Sequence, residues 1–107
     1  MHRRIGVILL DGAEVIVGIY SLDRDLKWQK IYSQVSDLRI DYLEIIETLA
    51  DILLFGLKLQ IKNWKVLSRN LSDEILKQIS QTTKLKIKNL DLKTEQELIC
   101  KGVLNET

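Results

Sequence analysis

Ile5-Gly6-Val7-Ile8-Leu9-Leu10 is an unbroken apolar run between Arg4 and Asp11. Its length suits a strand, and the absence of polar residues at alternate positions leaves no face for water. A strand buried on both faces belongs inside a covered sheet, with helices packed on either side. An α/β fold is therefore expected.

The rest of the chain supplies the other elements. Asp11-Gly12 favours a tight hairpin turn, because both residues tolerate positive φ. Val15 to Tyr20 is β-branched and reads as the second strand. After a polar turn at Asp23, Arg24 and Asp25, partial alternation from Leu26 to Val35 gives a third strand. A long helix follows, capped by Asp41 with Glu44 in capping-box spacing. Trp64 to Leu67 is a short fourth strand. Ser72 caps a second helix running to about Thr83, and Lys84 to Leu90 forms a fifth strand. Thr94 with Glu97 is a further capping-box pair and opens a third helix, which continues through Val103.

The order is βββαβαβα, an antiparallel meander followed by two crossovers. It predicts a single domain over residues 1–107, with a mixed five-stranded sheet of order 3-2-1-4-5. That is the topology of a ribonuclease-H-like or actin-like lobe.

Composition narrows the partners. Lys and Arg total 16 against 15 acids, a balance that gives no overall attraction for nucleic acid or an anionic membrane. Asp41, Glu44, Glu47, Asp51 and Lys58 interrupt the apolar stretch from Ile40 to Ile61, so no membrane span is expected. A single cysteine, Cys100, permits no intrachain disulfide, and the N-terminus has too short an apolar core for a signal peptide. The expectation is a cytoplasmic protein. His2 is the one histidine, which argues against a Cys/His nucleophile pair or a zinc site.

Two segments resemble the exopolyphosphatase/guanosine pentaphosphate phosphatase (Ppx/GppA) family. Ile5 to Tyr20, IGVILLDGAEVIVGIY, is similar to its first strand, phosphate loop and second strand. Ser72 to Val103 resembles its following helix, strand and helix; within it Lys84 to Val103, KLKIKNLDLKTEQELICKGV, is similar in rhythm, and Lys84-Leu85, Leu90, Glu95, Leu98-Ile99 and Gly102-Val103 carry the match. The resemblance implies the first lobe of a two-lobed phosphoanhydride hydrolase. The departures fall on the chemistry. Aligned without gaps, the family's loop Asp-Ile-Gly-Ser-Asn-Ser falls on Leu9 to Glu14, which puts Leu9 at the metal-holding aspartate and Glu14 where it would repel a phosphate; a one-residue shift restores Asp11-Gly12 but loses the spacing and still lacks the serines. The segment after the fourth strand keeps Ser68 and Arg69 as a remnant of the family's Ser-Ala-Leu-Arg. Lys93 and Thr94 replace acids next to the position of the family's catalytic glutamate, where Glu95 survives.

Glu95 is accordingly the candidate catalytic residue, and Asp11 and Gly12 are the candidate remnant of the phosphate loop. Each also has a plainer structural role, as a helix-start acid and a tight turn. The expected function is a non-catalytic interaction module with no cofactor. The alternative is half of a split polyphosphate or guanosine pentaphosphate phosphohydrolase, using magnesium and completed by a separate second-lobe chain. A ribonuclease-H-type nuclease is disfavoured by Leu9 at the key strand position.

Assembly is read from the long helix. Leu43, Ile46, Ala50, Leu53 and Leu57 form one stripe for the sheet to cover, leaving Ile45, Ile52, Phe55 and Leu59 outside it. A homodimer or protein partner using those four residues is expected.

Overall fold

The computed structural model describes residues 3–12, 14–22, 28–37, 42–100 and 104. The turn at Asp23, Arg24 and Asp25, the cap at Asp41, and Gly102-Val103 lie outside these residues.

The hydrophobic run forms the central strand β1 (Arg3–Asp11), which turns into β2 (Glu14–Leu22) and then β3 (Trp28–Asp37). Helix α1 (Tyr42–Lys58) leads to β4 (Asn63–Arg69), α2 (Asp73–Thr83), β5 (Ile87–Asn89) and α3 (Leu92–Cys100). The strands lie in the order β3-β2-β1-β4-β5. β1 pairs antiparallel with β2 and parallel with β4, and β5 pairs parallel with β4, so the sheet is mixed.

Strand alternation divides the core into two layers. Ile8 and Leu10 of β1, with Val15, Val17 and Ile19 of β2, pack under α1 and α2. Val7, Leu9, Ile16 and Leu67 turn to the other face and meet Leu98 of α3 and Leu104. Full burial of each such aliphatic side chain contributes about 1.5–3 kcal/mol. Both faces of β1 are therefore covered, as its composition requires.

Sequence and structure differ on which face of α1 is inside. Ile45, Leu49 and Ile52 are buried, while Leu43, Ala50 and Leu57 are exposed. Of the residues expected to remain outside, Ile45 and Ile52 are core residues, Leu59 is half-buried, and Phe55 is exposed. The innermost line of α1 is Ile45, Leu49 and Ile52, with Ile46 and Leu53 half-buried beside it, and a long-range contact lies on that line. Trp64 of β4 packs so closely on Gly6 and Gly56 that a Cβ at either glycine would overlap its ring. Gly56 lies on the stripe of Ile45, Leu49 and Ile52, so docking that stripe against the sheet lets the indole in.

β5 covers three residues, where Lys84 to Leu90 was expected. The preceding residues are engaged in ending α2. Lys84 adopts φ 59° and its N–H donates to the Ser80 carbonyl at 2.8 Å. The Ser80 hydroxyl donates to the Leu85 carbonyl at 2.9 Å, and the Leu85 N–H to Thr83 Oγ1 at 3.3 Å. Ser72 caps α2, accepting from the Ile75 N–H at 3.3 Å. The cap of α3 is Asp91 and not Thr94: Asp91 Oδ1 accepts from the Thr94 N–H at 2.7 Å. Among the described residues, no helix is long and apolar enough to cross a membrane.

Candidate functional site

β1 and β4 run parallel as neighbours, so their last residues emerge at the same sheet edge, with Asp11 in register with Arg69. In α/β sheets the carboxyl ends of the strands are where ligands collect. The path β5–α3 brings the first turn of α3, with Glu95, to that edge.

The three charged side chains meet there. Arg69 Nε donates to Asp11 Oδ2 at 2.9 Å, and Arg69 Nη1 donates to Glu95 Oε1 at 3.0 Å. Asn70 Nδ2 donates to the other oxygen, Asp11 Oδ1, at 2.8 Å. The Asp11 side chain is 15% exposed and those of Arg69 and Glu95 about a third, so the cluster is sheltered at the aspartate and open at the glutamate. Asn70 has φ 58°, a left-handed conformation that asparagine tolerates, and this turns the chain out of β4 beside the hairpin. Gly12 has φ 56° and donates its N–H to the Arg69 carbonyl at 3.1 Å, closing the hairpin onto β4. Ser68, buried beneath, accepts the Leu90 N–H at its carbonyl at 2.8 Å.

The sequence candidates Asp11, Gly12 and Glu95 thus fall at one site, joined by Arg69. Asn70 was not singled out from sequence, and Arg69 was read only as a remnant. Their signal was positional: Arg69 is the last residue of a strand that pairs parallel with β1, and Asn70 follows it directly.

The chemistry of the cluster is largely satisfied internally. Both oxygens of Asp11 accept hydrogen bonds from the chain, and the guanidinium is shared between two carboxylates. A magnesium ion requires carboxylate oxygens and waters in an open octahedral shell. With Asp11 committed to Arg69 and Asn70, and Leu9 buried in the core, these residues do not fit such an ion. Phosphate recognition likewise needs an arginine whose fork is open to oxygen. Asp91, one turn before Glu95, is occupied as the α3 cap, and the hydrogen bonds from Thr94 hold its carboxyl below the ordinary value of 3.8.

A search of solved structures finds this architecture in larger proteins. The Aquifex aeolicus Ppx/GppA family member matches with a TM-score of 0.71 at 15% identity, over 89% of this chain and 37% of that one. The chain has the fold of one part of a Ppx/GppA protein. A further structure of the Aquifex aeolicus Ppx/GppA enzyme matches with a TM-score of 0.67 at 15% identity, over 84% of this chain and 36% of that one. An exopolyphosphatase-like protein matches with a TM-score of 0.58 at 12% identity, over 98% of this chain and 38% of that one. At these identities the likeness to Ppx/GppA structures is one of fold, and the chain spans little more than a third of their length. No protein-family profile and no curated protein sequence matches the chain.

Proposed function

We propose that this chain is a non-catalytic interaction module built on the Ppx/GppA fold. One observation carries the reading: the guanidinium of Arg69 is held between Asp11 and Glu95 of the same chain. A phosphate approaching the remaining N–H groups of Arg69 would meet two carboxylates that already neutralise the cation and repel the phosphate. Glu95, in turn, accepts a charge-assisted hydrogen bond from Arg69 through Oε1. Leu9, at the position of the family's metal-holding aspartate, points the same way.

The test is phosphate release from polyphosphate and from guanosine pentaphosphate with magnesium present. No release above background is expected from the chain alone. Steady turnover that Glu95→Gln abolishes would overturn the proposal.

A second reading, half of a split phosphohydrolase, is favoured by the convergence of Asp11, Arg69 and Glu95 on one sheet edge. In that reading a separate second-lobe chain would open the Arg69 cluster. Release that appears only on mixing the two chains would support it.

A further inference from the structure

The outer face of α1 holds apolar surface that the fold leaves in solvent. Leu54 and Leu57 are 60% and 69% exposed. With Ala50, Leu53, Ile61 and Trp64 they line an open groove of about 530 Å³, which has Lys62 on its rim. Monomers seldom leave a continuous apolar patch uncovered.

The charges beside the groove specify an occupant. Glu44, Glu47 and Asp51 are exposed along the first turns of α1, whereas Lys58 and Lys62 are exposed at its C-terminal end. Glu47 has Glu44 three residues before it and Asp51 four residues after it, so these acids are like-charged neighbours on the helix surface. Among the described residues both ion pairs are at Arg69, so none serves these five charges. A complementary partner brings a basic end to the acidic half and an acidic half to the basic end, around an apolar seam. An antiparallel second copy of α1 meets all three requirements. At about 1.5 Å per residue, a register that sets Glu47 against Lys58 of the second copy is available within Tyr42–Lys58. Two-fold symmetry makes this pair occur twice. Leu54 then falls within one turn of the symmetry axis, beside the groove of the other copy.

We infer that the exposed face of α1 is a homodimer interface in which two copies of the helix pack antiparallel, groove to groove. The inference rests on the reading of the chain as an interaction module and names the partner as a second copy. Sedimentation equilibrium of the full chain at tens of micromolar is expected to give the dimer mass. Leu57→Glu raises the dissociation constant by more than about tenfold; far-UV circular dichroism stays unchanged, because the side chain lies outside the core. Glu47→Lys and Lys58→Glu each weaken the dimer by about fivefold through two symmetric contacts, and the double variant recovers it. A monomer mass at every concentration overturns the inference, as does a dimer that Leu57→Glu leaves intact. Failure of the double reversal to recover the dimer overturns the antiparallel arrangement. A monomer that releases no phosphate would remove the dimer and leave the non-catalytic reading standing; a dimer that releases phosphate would do the reverse.

Discussion

Arg69 ties together the ends of three elements through Asp11 on β1 and Glu95 on α3. An exposed ion pair contributes about 0–1 kcal/mol, but the sheltered Asp11 makes removal of the arginine costlier than that. Arg69→Met is expected to destabilise the fold by about 1–3 kcal/mol in urea unfolding, since it leaves that carboxylate without its cation. Asp11→Asn should recover part of the loss in the Arg69→Met background. At Asp91 the expectation concerns pH. Hydrogen bonds from Thr94 depress its folded pKa below 3.8, so its contribution is fully present above that value and is lost as pH falls through the depressed one. The melting temperature of Asp91→Ala should lie below that of the parent at neutral pH, and the difference should shrink as pH drops below the ordinary carboxylate range. The cap was hidden in the sequence because Asp91–Thr94 and Thr94–Glu97 share the same spacing of three residues. A capping-box pattern fits the second pair, and backbone geometry selects the first.

For the elements, β1 was legible because its composition alone demands two covered faces, and its neighbours follow from local alternation and turn residues. The inward face of α1 was not. Its two apolar stripes are near equals by periodicity, and the choice depends on Trp64 meeting Gly56, a contact that only the folded chain makes. This gives a direct check. Alanine is the better helix former by about 1 kcal/mol, so Gly56→Ala would stabilise an isolated helix. In this protein the added methyl meets the Trp64 ring, and Gly56→Ala is expected to destabilise by about 1–3 kcal/mol with a changed tryptophan emission. A stabilised variant would show that Trp64 does not set the face of α1. The C-terminal end of the same helix is anchored by Arg4, whose Nη1 donates to the Leu59 carbonyl at 2.7 Å, a favourable place for a cation.

In the whole molecule, the sheet gathers Asp11, Arg69, Asn70 and Glu95 at one edge and the α1 groove on a different surface. The residues of the edge cluster were partly readable, since Asp11 and Glu95 stood out against a family pattern. Their mutual pairing was not, because Asp11 and Arg69 are 58 positions apart and meet only through the β1–β4 register. The account's central claim is that this edge is closed by the chain's own charges, and calorimetric titration with polyphosphate at moderate salt tests it. The parent chain is expected to give no saturable heat. The Asp11→Asn, Glu95→Gln double variant, which frees the guanidinium of Arg69, is expected to bind, and further substitution by Arg69→Met should remove that binding. Saturable binding by the parent chain that Arg69→Met abolishes would contradict the account.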